Sequence, residues 1–294
     1  MNEQMQQAPV AVLGATGKVG IQVLHALSGG PVRALSRSQA KFIALPGVEW
    51  VEGDIEDEKV MMGLLTGVEK LFLNSGVTQR MVAEQCQVID WARKAGVRYI
   101  IKLSTPAARK PSKDPVGEWH WDVQEYLKAS GLLWNCLQPQ SFMQNWLSDV
   151  AITIKTEQKI YSAAGDGRRA FVDTRDIGSV TACLFRNAGN WVNQIIPLSG
   201  GELVSYYDVA EAFSQALQKM VTYIPQSPEE AAARMRNLGV PEYRINIALI
   251  IEANQKLGLV EKLLTDHVEK ITGKAPHSVY EFVKDHVDLF KGHF

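Results

Sequence analysis

A glycine-rich turn near the start of the chain has the residue spacing of a phosphate-binding loop. Gly14, Gly17 and Gly20 follow an apolar run without charge at residues 10–13, and residues 21–27 then have the apolar spacing of a helix. In such a turn the first glycine permits the sharp bend, the second lets the backbone approach a pyrophosphate, and the third lets helix and strand pack closely. The stretch predicts a dinucleotide site; the alternative is a glycine turn without a ligand.

Basic residues beyond this turn indicate which dinucleotide is bound. NAD sites of this type usually carry an acidic residue about 20 positions past the glycines, where it holds the ribose 2′-hydroxyl. No acidic residue occurs between Gly20 and Glu49, and Arg33, Arg37 and Lys41 lie in that interval. A guanidinium binds phosphate through paired N–H donors. The sequence therefore favours NADP, with Arg37 as the first candidate and Lys41 as the second. Solvated surface charges are the alternative, which fits Arg33 best.

The third predicted strand, residues 47–54, ends at an aspartate with two possible roles. Asp54 and the following Ile55 are placed to flank an adenine ring, because ligands in open α/β sheets lie beyond the carboxyl ends of strands. Asp54 is equally suited to be the N-cap of a helix over residues 56–65. Both roles can hold together.

Polar residues also follow two later predicted strands. Asn74, Ser75 and Gly76 come after residues 70–73, and Ser104 comes after residues 97–103. Strands that alternate with helices at this rhythm predict a doubly wound parallel α/β sheet. The polar residues are then expected to form further walls of the cofactor site.

A helix predicted after Gly117 carries a candidate proton donor. His120 and Gln124 are four residues apart and share one helix face. The usual pKa range of histidine suits proton transfer near neutral pH, so His120 is the candidate, with Ser104 placed to orient it or the substrate. The alternative is a histidine that contacts a ribose or simply packs between tryptophans.

Large apolar residues on this helix and after the sixth predicted strand are candidates for a substrate pocket. They are Trp119, Phe142, Met143 and Trp146. Packing in a core is the alternative for each of them.

Length and composition bound the class of protein. The chain has 294 residues, 46% of them hydrophobic, a net charge of −1 and three cysteines. The balanced charge gives no case for nucleic acid or an anionic membrane, and the cysteines have no metal-site or disulfide spacing. With no apolar run of about 18 residues, we expect a soluble, cytoplasmic monomer or homodimer without a bound metal. Residues 1–150, with a return at about 170–200, are predicted to form the nucleotide domain, and residues 151–294 a smaller, mainly helical domain.

Taken in order, these motifs resemble the NmrA-like branch of the atypical short-chain dehydrogenase/reductases. The matching pieces are GATGKVG at 14–20, Gly53-Asp54, His120-x-x-x-Gln124, Pro139-x-x-Phe142 and the later Phe-Val-Asp at 171–173. The resemblance covers nearly the whole chain. It implies a Rossmann domain, a smaller C-terminal domain that closes over a substrate cleft, and binding of NAD(P), usually NADP.

The chain departs from the wider family at the catalytic positions. Short-chain dehydrogenases typically carry a Tyr-x-x-x-Lys pair where this sequence has His120 and Gln124, and Gln140 replaces a common glycine. The cofactor motifs, together with the family resemblance, predict an NADP-dependent oxidoreductase that reduces a quinone-like, conjugated-carbonyl, imine or dye-like acceptor. The alternative is a non-catalytic NADP(H) sensor. The predicted cofactor contacts are Gly14, Thr16, Gly17, Lys18, Val19, Arg37, Lys41, Asp54, Ile55, Asn74, Ser75, Gly76, Ser104, Gln124, Pro139, Ser141 and Phe142.

Overall fold

The computed structural model describes residues 8–112, 115–260 and 263–291. The chain forms two compact units. It leaves the first at Pro139, returns to it from Thr174 to Pro197, and builds the second from the remaining residues. The change of unit therefore comes before the predicted boundary at residue 150.

The strands, in chain order, are β1 (Val10–Val12), β2 (Val32–Ser36), β3 (Val48–Glu52), β4 (Lys70–Leu73), β5 (Tyr99–Leu103), β6 (Leu133–Pro139), β7 (Lys159–Ser162), β8 (Gln194–Leu198) and β9 (Thr222–Pro225). The main sheet has the order β3-β2-β1-β4-β5-β6-β8, and every pair from β3 to β6 is parallel. This is the doubly wound order of dinucleotide-binding folds. The predicted fold class is confirmed, including the late strand that returns to the main sheet.

The helices are α1 (Gly20–Leu27), α2 (Glu58–Leu65), α3 (Met81–Lys94), α4 (Pro115–Ala129), α5 (Asp149–Glu157), α6 (Thr174–Arg186), α7 (Tyr206–Leu217), α8 (Pro228–Asn237), α9 (Glu242–Lys256), α10 (His267–Thr272) and α11 (Val279–Asp285). In the described part of the chain, no helix has the length and apolar character needed to cross a membrane.

The core of the first unit lies between the sheet and α2, α3 and α4. Ala11, Leu71 and Ile100 come from β1, β4 and β5 and pack in one cluster with Ile89 of α3 and Val123 of α4. Successive side chains of a strand point to opposite faces, so alternate residues of each strand enter this layer. On the other side of the unit, α1 and α6 pack against each other.

The second unit has an aromatic core and a small parallel sheet formed by β7 and β9. Trp146 packs against Phe171, Phe213 and Phe282, with ring centroids 4.9 to 6.3 Å apart. The capping boxes at the starts of α7 and α8 use Ser205 with Asp208 and Ser227 with Glu230. The sequence does not predict the small sheet, because β7 and β9 are only four residues long. It does not predict α9 either, because this helix carries a run of consecutive apolar residues rather than an apolar stripe along one face.

Candidate cofactor and active site

A cavity of about 480 Å³ lies at the carboxyl ends of the strands of the first unit. Its volume is in the range of small-molecule sites, roughly 300–1,000 Å³. The predicted cofactor residues that line it are Gly14, Thr16, Gly17, Arg37, Asp54, Ile55, Asn74, Ser75 and Gly76. Segments distant in sequence thus meet where the sequence analysis places the cofactor.

The glycine turn has no room for larger side chains at two positions. Gly14 has a φ of +63°, and a Cβ there would lie 2.7 Å from Nδ2 of Asn74. A Cβ on Gly20 would lie 2.1 Å from the Gly14 carbonyl oxygen, because α1 starts directly against the turn. Gly14 and Gly17 line the cavity without a side chain, which is the form that admits a pyrophosphate near the first turn of a helix.

The three basic candidates after this turn have different surroundings. Arg37 is exposed and lines the cavity. Arg33 forms an ion pair with Glu49 at 3.4 Å and donates from Nη1 to the carbonyl oxygen of Thr66 at 2.6 Å. Lys41 is exposed in a short 3-10 helix and is not part of the cavity lining. Of the three, Arg37 is the one that lines the cavity, whereas Arg33 is held by contacts within the first unit.

Asp54 lines the cavity, but it is not the N-cap of α2. The cap is Asp57, whose side chain accepts hydrogen bonds from the backbone N–H groups of Lys59 and Val60. Oδ1 of Asp54 instead accepts from the backbone N–H of Glu56 at 3.0 Å, which bends the chain before the helix. The prediction of an N-cap was wrong, because three acidic candidates occur within four residues of the helix start.

Charged residues from two loops meet at the far side of the same cavity. Arg80 before α3 forms an ion pair with Glu56 at 2.6 Å. Glu84 also lines the cavity, and burial together with the negative charge of Glu56 raises the pKa of its carboxyl above the usual value.

A second polar cluster lies on β5 and α4 and includes a residue that sequence analysis missed. Lys102, in the middle of an apolar stretch, is completely buried. Its Nζ lies 2.8 Å from Nδ1 of His120 and donates to the Leu103 carbonyl oxygen at 3.0 Å. A signal was present in the sequence, since a lysine inside an otherwise apolar strand is costly to bury unless it has a specific task.

Ser104 and Gln124 are brought together in the same cluster. Oγ of Ser104 donates to Oε1 of Gln124 at 3.0 Å, and Nε2 of Gln138 donates to the same oxygen at 3.1 Å. The acceptor side of the Gln124 amide is thus occupied, while its buried Nε2 has no partner in the described part of the chain. Gln124 therefore presents a free N–H donor on the helix face that it shares with His120.

The surroundings of His120 determine the protonation state of its ring. The ring is 8% exposed. Burial, and the nearby positive charge of Lys102, hold the pKa of His120 well below its usual value. His120 is accordingly neutral at pH 7, and the expectation of an ordinary histidine pKa was wrong because the sequence does not show the buried lysine beside it.

The remaining predicted site residues divide between packing and surface positions. Met143 and Trp146 are almost fully buried in the aromatic core of the second unit, as the packing alternative holds. In that unit Ser141 accepts from Arg169, and Phe142 pairs with Val172 in a β-bridge. Trp119 is half-buried on α4. The others outside the cavity lining are exposed Lys18, buried Val19 and Pro139, and buried Gln140, whose N–H donates to Leu198.

No cluster of three or more His, Cys, Asp or Glu side chains among the described residues has the arrangement of a metal site. Cys86, Cys136 and Cys183 are free thiols.

The sheet order, the bare glycine turn and the cavity at the strand ends define a Rossmann-type unit. Comparison with known proteins makes the assignment specific. The sequence profile of the NmrA-like family matches residues 6–288, and the chain belongs to this family.

Individual relatives match nearly the whole chain. The NAD(P)H azoreductase of Xenophilus azovorans is 30% identical over 285 residues, which cover 96% of this chain and 99% of that protein. The crystal structure of the NADPH-dependent quinone oxidoreductase of Escherichia coli complexed with NADPH has a TM-score of 0.81, at 25% identity, and covers 95% of this chain and 99% of that one. NmrA, a negative transcriptional regulator solved with NADP, shares the fold with a TM-score of 0.76, at 19% identity over 95% of both chains.

Proposed function

We propose that this chain is an NADP-dependent oxidoreductase that reduces a small quinone-like, conjugated-carbonyl, imine or dye-like acceptor. The observation that carries the proposal is the cavity in which the glycine turn, Arg37 and residues 74–76 meet. A pyrophosphate needs the bare backbone of the turn, and a 2′-phosphate needs a cation without a neighbouring acid on the same strand end.

The relatives support the reaction class. A protein 30% identical over nearly the full length is an NAD(P)H azoreductase, and a structural neighbour at 25% identity is a quinone oxidoreductase bound to NADPH. Azo compounds and quinones are both conjugated acceptors that take up a hydride and a proton.

The residues of the cavity divide the binding of the cofactor among them. Gly14 and Gly17 would hold the pyrophosphate, Arg37 the 2′-phosphate, and Asp54 with Ile55 would flank the adenine ring. When bound, the reduced nicotinamide supplies the hydride.

In the proposed reaction, the cluster on β5 and α4 would supply polar contacts to the cofactor and the acceptor. The N–H of Gln124 that has no partner among the described residues is fully buried, so it would donate to a ribose hydroxyl only once the side chain is exposed. His120 supplies a proton to the reduced acceptor. Among the predicted substrate contacts, Trp119 in the first unit and Phe142 in the second are each only half-buried and stay candidates within their own units.

A non-catalytic NADP(H) sensor is the second candidate, and one observation favours it. His120 and Gln124 replace the Tyr and Lys of typical short-chain dehydrogenases, and a transcriptional regulator has the same fold. A sensor would bind the cofactor tightly and consume none of it.

Fluorescence titration with NADPH, followed by quinone, enone, imine and azo-dye acceptors in the same cuvette, tests the proposal. We expect binding at about micromolar Kd or better (roughly −8 kcal/mol) and acceptor-dependent loss of the NADPH signal. Tight binding without consumption by any acceptor would favour the sensor, and absence of binding would contradict both.

A further inference from the structure

Lys102 lies in a layer that otherwise excludes charge. It is two residues after Ile100 on β5, so both side chains point to the same face of the sheet. Ile100 belongs to the apolar cluster formed with α3 and α4, and Lys102 is 0% exposed. A cation in such a layer destabilises the fold unless its charge is compensated, so its position there needs a reason other than packing.

The partners of Lys102 are unusual for a buried cation. Its Nζ contacts the Leu103 carbonyl oxygen and Nδ1 of His120, and no carboxylate lies within ion-pair distance among the described residues. An ammonium group has donors only. Nδ1 of His120 must therefore accept, which places the proton of the neutral ring on Nε2.

The other ring nitrogen of His120 remains available. Nε2 has no hydrogen-bond partner in the part of the chain that the structure describes, and the ring retains a small exposed area. Nε2 of Gln124, one helical turn further along the same face, also lacks a partner. Two N–H donors on one face of α4 are thus left without an acceptor.

We propose that Lys102 and His120 form a two-residue proton relay, in which Lys102 fixes the tautomer of His120 and replaces the proton that the ring gives to the reduced acceptor. The inference rests on the proposed reductase function. It makes Lys102 a positioning residue that acts through His120.

The step balances without a further reactant. The Nε2–H bond of His120 breaks as an O–H or N–H bond forms on the acceptor, which has taken the hydride from NADPH. At the same time Nδ1 takes a proton from Nζ of Lys102, so the histidine ends neutral and the lysine becomes a neutral amine. A solvent proton then enters at Nε2 while Nδ1 returns its proton to Lys102. A neutral imidazole can act as the donor in this way because it never forms an anion.

Lys102, rather than the titratable groups around it, changes its charge in the pH range in which the rate would be measured. Cys136 faces it from β6 and Cys86 from α3, and burial raises the pKa of each thiol to about 11, so both are neutral. His120 faces it from α4 and is neutral, since its pKa is held well below the usual value. Burial lowers the pKa of Lys102 to about 8. The relay therefore predicts a rate that is flat from pH 6.5 to 7.5 and falls tenfold per unit well above pH 8.

The tautomer can be measured without turnover. In protein labelled with ¹⁵N-histidine, long-range ¹H–¹⁵N correlation spectra at pH 7 should show His120 as a neutral ring protonated at Nε2, assigned by its loss in His120→Asn. In Lys102→Met this single tautomer should give way to a mixture. A wild-type His120 ring protonated at Nδ1, or at both nitrogens, would overturn the relay. This outcome is measured on the wild-type protein, so it does not depend on whether a Lys102 variant folds.

The pH–rate profile provides the second readout. Lys102→Met should lower kcat about 100-fold, in the range expected for loss of general acid catalysis, and remove the fall near pH 8 while leaving the Kd for NADPH unchanged. Lys102→Gln keeps an N–H donor without a titrating group and should also lack that fall. Lys59→Met, on the exposed face of α2, is the matched control and should keep both rate and profile.

Failure of this inference differs from failure of the proposed function. A wild-type protein that consumes no acceptor contradicts the reductase function, whatever the tautomer. A wild-type protein that turns over, but whose fall near pH 8 survives in Lys102→Met and Lys102→Gln, contradicts the relay alone.

Discussion

Two regions of the first unit do different parts of the proposed work and are built in different ways. The cavity at the glycine turn is formed by backbone and by exposed side chains such as Arg37. The cluster of Lys102, His120, Ser104 and Gln124 is formed by buried side chains that are hydrogen-bonded in pairs, Lys102 with His120 and Ser104 with Gln124. In the cavity the ligand meets groups that water already solvates. In the cluster each polar group was removed from water, so its protonation and orientation depend on its partners.

This difference between the two regions predicts which property a substitution in each of them changes. At the glycine turn, a change alters the space for the cofactor and leaves titration unaffected. In the buried cluster, a change at one residue alters the charge or tautomer of the next. Affinity should therefore respond to the first region and proton transfer to the second.

The largest effect is expected at Gly14. Gly14→Val places a β-branched residue at a φ of +63° with its Cβ 2.7 Å from Nδ2 of Asn74. We expect the affinity for NADPH to fall at least ~200-fold, about 3 kcal/mol, measured by fluorescence titration. Gly63→Ala in α2, where a Cβ meets nothing within 4 Å, should bind normally and melt slightly higher. A Gly14→Val protein that binds NADPH like the wild type would show that the turn does not hold the cofactor.

The next largest effect is expected at His120, and it concerns the turnover rate rather than the affinity for NADPH. His120→Asn retains an acceptor for Lys102 but has no ring nitrogen to pass on a proton. Steady-state kinetics should show kcat about 100-fold lower, with the Kd for NADPH within about twofold of wild type. The exposed His25 gives the control variant His25→Asn, with no expected change. A parallel loss of affinity would mean that the two regions do not separate binding from proton transfer.

The positive charge of Arg37 should contribute to the binding of NADPH and not to the binding of NADH. Arg37→Ala removes the cation that lines the cavity, so NADPH should bind about 30-fold more weakly, roughly 2 kcal/mol, while NADH is unaffected. Arg33→Ala tests the neighbouring cation, which donates to the carbonyl oxygens of Leu64 and Thr66 at the end of α2. It should lower stability by about 1 kcal/mol and leave cofactor preference unchanged. Equal losses for both cofactors in Arg37→Ala would contradict a 2′-phosphate contact.

The smallest effect concerns stability rather than binding. Because burial lowers the pKa of Lys102 from 10.5 to about 8, the unfolded chain binds more protons than the folded one between these values. The free energy of unfolding of the wild type should therefore rise with pH, by up to about 2 kcal/mol from pH 7 to 9.5, relative to Lys102→Met. Urea unfolding of both proteins at the two pH values measures this. Identical pH dependence would mean that Lys102 is not a buried cation.

Features that depend on a few neighbouring residues could be predicted from the sequence. The strand, glycine turn and helix at residues 10–27 are contiguous in the sequence. The absence of acids before Glu49 pointed to Arg37, which is one of two basic residues that line the cavity, the other being Arg80. These predictions succeeded because backbone conformation and local hydrogen bonds determine such features.

Features that depend on side chains from distant elements could not be predicted. Asp54 and Asp57 are both good caps, and only the path of the chain selects Asp57. Met143 and Trp146 suit a pocket as well as a core, and the packing of α7 and α11 around them places both in the core.

By itself, the sequence determined the class of fold, the place of the glycine turn and the sign of the charge that follows it, since each depends on residues close together in the chain. Tertiary structure alone decided the state of the catalytic candidate. His120 resembles any other histidine in the sequence, and only the fold brings the fully buried Lys102 of β5 within 2.8 Å of its ring. Protonation depends on neighbours and on solvent access, and both exist only once the chain has folded.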